Sequence, residues 1–191
     1  MIYPMKKDDA ISSQQTITLA GGCFWCTEAV FTRVRGVLEV QSGYANGHVD
    51  HPSYEQVCTG NTGHAEAVRL RFDAQQIGVR EILEIFFATH DPTTLDRQGN
   101  DVGTQYRSGI YYTDPEHQAA ARQLLEQLAQ DDVFGAPVVT QLEPLRCFWP
   151  AEDYHGDYYR QHPEQGYCAV VIAPKVAKFR KTFAQYLKSG A

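Results

Sequence analysis

Residues 16–34 read TITLAGGCFWCTEAVFTRV. Thr16, Ile17, Thr18 and Leu19 are mostly β-branched and the run is short, which predicts a strand. The pair Gly21-Gly22 breaks that strand, and CFWCTEAVFTRV after it has helical character. A strand that turns through two glycines into a helix is the seed of a layered α/β domain. Here it also puts a cysteine at the start of the helix.

Working outward, the chain keeps mixing short strands with helices. Residues 37–41 form a second strand candidate. Residues 64–73, HAEAVRLRFD, alternate cleanly: Glu66, Val68, Leu70 and Phe72 share one face, and Ala65, Ala67, Arg69 and Arg71 share the other. Between these strands lies a long loop over residues 43–63, rich in Gly, Asn, Tyr and His, with a helical turn expected over 53–58. Loops of that length in a compact domain are usually functional. VREILEIFFATHD, residues 79–91, has helical apolar spacing and stops where Pro92 disfavours helix in the residue before it. A second polar loop follows over 92–108. Residues 109–113 read as a strand, and Asp114-Pro115 opens a helix that runs to residue 130, the aspartate as cap and the proline in the first turn. Strands are expected over 138–142 and 169–172, and helices over 151–160 and 175–187. Without repeats or low-complexity tracts, this pattern predicts an α+β or mixed layered domain rather than a regular βαβ array.

The chain has 191 residues, 43% hydrophobic and 21% charged, which fits one domain. We expect a lead-in over residues 1–15 that is polar and flexible, and a single catalytic domain over 16–191. Seventeen Lys plus Arg against 23 Asp plus Glu give a formal charge of −6. That balance argues against nucleic acid or an anionic membrane as the main partner. The N-terminal MIYPMKKDDAISSQQ has no apolar stretch of signal-peptide length, and no window approaches the roughly 20 apolar residues of a membrane helix. A cytoplasmic protein, monomeric, is the expectation. Its five cysteines are then thiols, metal ligands or catalysts rather than staples.

The pair Cys23 and Cys26 supports three readings. A structural zinc site needs two further ligands, and Cys58, Cys147 and Cys168 are isolated, so no metal is expected. A thioredoxin-like dithiol uses C-x-x-C at a helix start, where free N–H groups and the macrodipole lower the first thiol's pKa. The third reading is a single nucleophile, Cys23, with Phe24 and Trp25 as pocket walls and Gly21 and Gly22 allowing close approach of backbone and substrate. Glu66 bears on the choice. A carboxyl sharing a face with Val68, Leu70 and Phe72 is desolvated if that face is the core, which raises its pKa and suits it to general acid work. Tyr54 and Tyr106 in the neighbouring loops could donate hydrogen bonds to a leaving oxygen.

GGCFWCTEAVF resembles the signature of the A-class peptide methionine sulfoxide reductases, and so do GYANG at 43–47, PSYEQVCTGNTGHAEAVRLRFD at 52–73, HDPTT at 90–94, RQGNDVGTQYRSGIYY at 97–112 and FWPAEDYHGDYY at 148–159. The resemblance implies a two-layer α/β sandwich around a mixed sheet, with a ferredoxin-like core, and reduction of the S epimer of methionine sulfoxide, free or in proteins. By position it implies Cys23 as nucleophile, Glu66 as the acid on the sulfoxide oxygen, Phe24 and Trp25 as walls of the methyl pocket, and Tyr54, Asp101 and Tyr106 as hydrogen-bonding residues around the oxygen. No cofactor is implied; an external dithiol, usually thioredoxin, regenerates the enzyme. Cys168 in GYC matches the first recycling cysteine of many members, though AVVIAPKVAKFRK replaces their glycine-rich tail with its further cysteine. Cys26 is the competitor, and we expect Cys168 to resolve because a mobile tail approaches more easily than a helix bends. Cys58 and Cys147 read as structural. A general C-x-x-C thiol-disulfide oxidoreductase working through Cys23 and Cys26 is the alternative function.

Overall fold

The computed structural model describes residues 13–191. Its elements, in chain order, begin with β1 (Gln14–Gly21), α1 (Phe24–Phe31), β2 (Val37–Ala45), α2 (Tyr54–Cys58), β3 (Ala65–Asp73) and α3 (Val79–Ala88). A short hairpin of β4 (Arg97–Gln98) and β5 (Asp101–Val102) leads to β6 (Ser108–Tyr112) and α4 (Pro115–Gln130). Then come β7 (Gln141–Pro144), β8 (Phe148–Pro150), α5 (Tyr158–Gln161), a π-helical turn over Cys168–Ile172 and α6 (Ala173–Thr182).

The main sheet runs β7-β6-β1-β3-β2-β8. Within it β6-β1-β3-β2 are all antiparallel neighbours, which together with α1 and α3 is the split βαβ arrangement of a ferredoxin-like core. β8 adds antiparallel to β2, and β7 adds parallel to β6. The sheet is therefore mixed, as expected.

Register explains which face is covered. Leu70 lies opposite Ile17 and Val68 opposite Leu19, so alternate residues of β3 and β1 form one apolar face. That face meets Val30 and Phe31 of α1, Ile82, Leu83 and Phe86 of α3, and Leu124 of α4 in the main core. The other face carries Arg69 and Arg71 half-exposed. A smaller cluster of Ala20, Ala45, Ala65, Ala67 and Tyr111, roofed by Leu145 and Phe148, closes one end of it. Helix α4 starts as anticipated: Asp114 accepts from the Glu116 N–H at 2.8 Å and Pro115 sits in the first turn.

Several expectations need correction. β1 starts at Gln14, two residues inside the expected lead-in; residues 1–12 of that lead-in lie outside the described residues. β2 runs on to Ala45 because it pairs with β3 along its whole length. The 92–108 loop contains the β4–β5 hairpin and a 3₁₀ turn over Thr104–Tyr106. The expected strand over 138–142 appears as β7, later and shorter, and β8 was unforeseen. Residues 151–160 hold a 3₁₀ turn (Asp153–His155) and the four-residue α5 instead of one helix. The expected helix over 175–187 is α6, which ends at Thr182, followed by a 3₁₀ turn over Ala184–Tyr186. Residues 169–172 are not extended: they form the π turn that runs into α6, burying Cys168 and Ile172 beside Cys26 and Ala29 of α1. The β-branched run argued for a strand by propensity, and burial against α1 overrode it.

Candidate active site

Cys23 is the residue at which the chain turns into α1. Its φ/ψ of −55°/125° is non-helical, and its carbonyl already accepts the Cys26 N–H at 3.1 Å. Gly22 before it has φ +94°, where a side chain would be strained, and a Cβ there would come within 2.6 Å of Gln98. So the space at Gly22 is occupied by a protein side chain, and the expected opening for substrate is not what this glycine provides. Gln98 is itself pinned, donating to the Asp91 carbonyl at 2.8 Å and accepting the Asp91 N–H at 2.9 Å.

Glu66, near the start of β3, is 1% exposed. Its Oε2 accepts the Phe24 N–H at 3.1 Å, satisfying one of the free donors at the start of α1. Burial pushes the carboxyl up to about 8, against the lowering effect of the Phe24 hydrogen bond. At neutral pH it is a protonated acid one residue away from Cys23.

Burial likewise pushes the Cys23 thiol well up, reinforced by its hydrogen bond with Cys26 and by the Glu66 carboxyl. It is the Cys26 thiol that is lowered, first through the hydrogen bond with Cys23, against burial. In the resting protein Cys23 is therefore a neutral thiol. Among the described residues all five cysteines are free.

Tyr54 and Tyr106 are held protonated, by burial first and the Glu66 carboxyl second. Both remain hydrogen-bond donors near the acid. Asp101 accepts the Tyr167 hydroxyl at 2.6 Å, and the same hydroxyl lies 3.7 Å from the Cys26 sulfur. Phe24 is 1% exposed and belongs to the main core, tilted against Tyr44 and His155. Trp25 is half-buried and stacks on Tyr158 at 3.8 Å with 5° between the rings. Of the two aromatics, Trp25 is the more exposed.

Cys168 is fully buried, so the mobile tail expected around it is instead a packed helical turn. It shares a cluster with Cys23, Cys26, Ala29, Ile172 and Val176. Its thiol is pushed up by burial and then by Cys26. Cys58 is exposed at the end of α2, and Cys147 is half-buried against the Gly47 carbonyl.

His155 was missed by sequence reasoning. It is completely buried among Phe24, Trp25 and Tyr54, and its Nδ1 accepts the Trp25 indole N–H at 3.1 Å. Indole can only donate, so Nδ1 is bare and the neutral ring carries its proton on Nε2; burial, which lowers its pKa, keeps it neutral. Glu152 was missed too: its two oxygens accept from the Tyr44 hydroxyl at 2.9 Å and the Tyr54 N–H at 3.0 Å. The signal was present in PAEDYHGDYY, where ionisable and aromatic residues crowd a segment too irregular to be one helix.

Among the described residues no group of three or more His, Cys, Asp or Glu could hold a metal ion, and no helix is long and apolar enough to cross a membrane. The arrangement supplies a thiol, a protonated acid and phenolic donors around one helix start.

A family model described as Peptide methionine sulfoxide reductase matches residues 15–187. A Deinococcus radiodurans protein described as Peptide methionine sulfoxide reductase MsrA is 55% identical over 177 residues, 93% of this chain and 86% of its own length. Among solved structures, methionine sulfoxide reductase A of Corynebacterium diphtheriae is similar with a TM-score of 0.77 and 34% identity, covering 83% of this chain and 79% of that one. Reduced Mxr1 from Saccharomyces cerevisiae gives 0.75 and 35%, covering 82% and 90%; Mxr1 has also been solved in complex with Trx2. With the family model spanning nearly every described residue and the relative more than half identical, the chain belongs to the peptide methionine sulfoxide reductase family.

Proposed function

We propose that this protein reduces methionine-S-sulfoxide, free or in proteins, with Cys23 as nucleophile, Glu66 as general acid and Cys168 as the resolving thiol. The observation that carries the proposal is the Phe24 N–H to Glu66 hydrogen bond, which holds a buried, protonated carboxyl beside the cysteine that opens α1. Glu66 protonates the sulfoxide oxygen and makes the sulfur electrophilic. Cys23 sulfur attacks it and gives up its proton to the carboxylate just formed. The sulfur–oxygen bond then breaks as oxygen passes to Cys23, so thiol plus sulfoxide become sulfenic acid plus thioether. An ionised Glu66 opposes negative charge on Cys23, so the acid must be protonated when the sulfoxide binds, and Cys23 sheds its proton to the new carboxylate as its sulfur attacks. Tyr54 and Tyr106 donate to the oxygen, Asp101 orders the neighbouring Tyr167 hydroxyl, and Phe24 and Trp25 enclose the methyl group.

A second thiol condenses with the sulfenic acid, releasing water and forming a disulfide, which an external dithiol reduces. Thioredoxin is our proposed reductant, consistent with the Trx2 complex of the yeast relative. We read the chain from β1 onward, residues 14–191, as the catalytic domain, acting as a cytoplasmic monomer without a prosthetic group. The alternative of a general dithiol oxidoreductase is not favoured, because the whole catalytic region from residue 15 to residue 187 matches the sulfoxide reductase family.

The direct test follows the separated S and R sulfoxide epimers by mass spectrometry. Reduction of the S epimer alone is expected, and equal reduction of both overturns the stereochemical assignment. Cys168→Ser should keep one full turnover, while steady-state cycling with thioredoxin falls by roughly a hundredfold as an intramolecular thiol is lost. Normal cycling in that variant would transfer the resolving role to Cys26.

A further inference from the structure

Glu28 is a buried carboxylate that the reaction above does not use. It lies on α1, three residues beyond Trp25, and is 5% exposed. Its Oε1 accepts the Asp157 N–H at 2.8 Å, reaching across to the C-terminal part of the chain. Asp157 has φ +54° and ψ 35°, a left-handed conformation that Asp reaches more readily than most residues with a side chain but still at a cost that a backbone hydrogen bond can offset. The Arg160–Asp157 ion pair at 2.9 Å is largely exposed and gives weak support. The turn at Asp157 matters because of what flanks it. His155 holds the Trp25 indole N–H, and Tyr158 stacks on the Trp25 ring.

We propose that Glu28 is a positioning residue for the substrate pocket: it latches the left-handed turn at Asp157 to α1 and so presents His155 and Tyr158 to Trp25. One helix then carries both the pocket wall and the group that holds the wall's supports. The latch works through an acceptor at the right reach. Burial pushes the Glu28 carboxyl up to about 7, with the Asp157 and Tyr158 N–H groups opposing that rise; the carbonyl of a neutral side chain of the same length can still take the Asp157 bond, so it should keep the turn latched.

That requirement separates two conservative variants. Glu28→Gln keeps a carbonyl acceptor at the same distance. Glu28→Asp keeps the carboxyl but falls about 1.5 Å short. Both are assayed by methionine sulfoxide kinetics, and by Trp25 emission in a Trp149→Phe background that leaves a single tryptophan. Glu28→Asp is expected to raise KM about fivefold or more with kcat within about twofold, and to shift Trp25 emission as its stack and hydrogen bond loosen. Glu28→Gln is expected to match the parent in both readouts. Unchanged emission in Glu28→Asp overturns the latch whatever KM does, and so does a Gln variant as impaired as the Asp variant. The inference rests on the sulfoxide-reductase reading of the pocket. A parent protein that leaves methionine sulfoxide unreduced overturns that reading, while the emission experiment still decides the latch.

Discussion

Cys23→Ser is expected to lower single-turnover reduction of methionine sulfoxide by a factor on the order of 10⁴ or more, the scale on which loss of a nucleophile removes covalent catalysis. Serine fits the space, and at a position 8% exposed the fold should lose about 1–3 kcal/mol, short of unfolding it. The defect is therefore chemical. A hydroxyl lacks the soft sulfur that attacks the sulfoxide, and it has no sulfenic acid state in which to carry the oxygen away. Cys26→Ser is the informative control. Cys26 lies inside the first turn and hydrogen-bonds to Cys23, so its loss should leave the first turnover within about tenfold of the parent. If Cys23→Ser still completes a turnover, or if Cys26→Ser loses it as fully, the single-nucleophile reading fails and the dithiol alternative regains its place. Stopped-flow or quenched reactions with one equivalent of sulfoxide and no reductant read this directly.

What could be read in the sequence was whatever local pattern decides. Strict alternation in AEAVRLRF put Glu66 on the apolar face, and the register with β1 buries that face. Asp114-Pro115 marked a helix start that holds to the residue. The glycine-broken turn into α1 marks Cys23 as the residue at the helix start. What could not be read depends on contacts between distant parts of the chain. His155 meets Trp25 across 130 positions, and Asp157 meets Glu28 across 129; no periodicity within either segment announces them. The π turn at Cys168 was misread because Val170, Val171 and Ile172 favour strands locally, while the packing of Cys168 and Ile172 against α1 favours a helix. The direction of the Cys23 pKa was misread for a related reason. A helix start lowers a thiol's pKa when the thiol is accessible, and here desolvation outweighs it.

Glu66→Gln separates chemistry from folding, because it slows the first at every pH and frees the second of its alkaline loss. The glutamine carbonyl can still accept the Phe24 N–H, so the start of α1 keeps its partner. No proton can be delivered to the sulfoxide oxygen, and the chemical step should slow by about 10²–10⁴-fold. In the parent, Glu66 is protonated below its pKa of about 8. Single-turnover rate should hold on the acid side and fall as pH rises through that value; the variant, already without an acid, should show no such limb. Stability follows the same direction in pH. The Glu66 pKa lies near 4.5 when unfolded and near 8 when folded, so across that interval the folded state binds more protons. Stability contributed by the neutral acid is complete below about 4.5 and is lost as pH rises through 8, by up to a few kcal/mol. Glutamine carries no such dependence. Denaturant midpoints measured at pH 6 and pH 9 should therefore fall for the parent and stay level for the variant, apart from changes common to both. A variant that keeps the parent's rate, or the parent's alkaline limb, would remove Glu66 from the reaction. A parent whose stability does not decline between those pH values relative to the variant would mean that the carboxyl is ionised in the folded state, and the proton for the oxygen would have to come from Tyr54 or Tyr106.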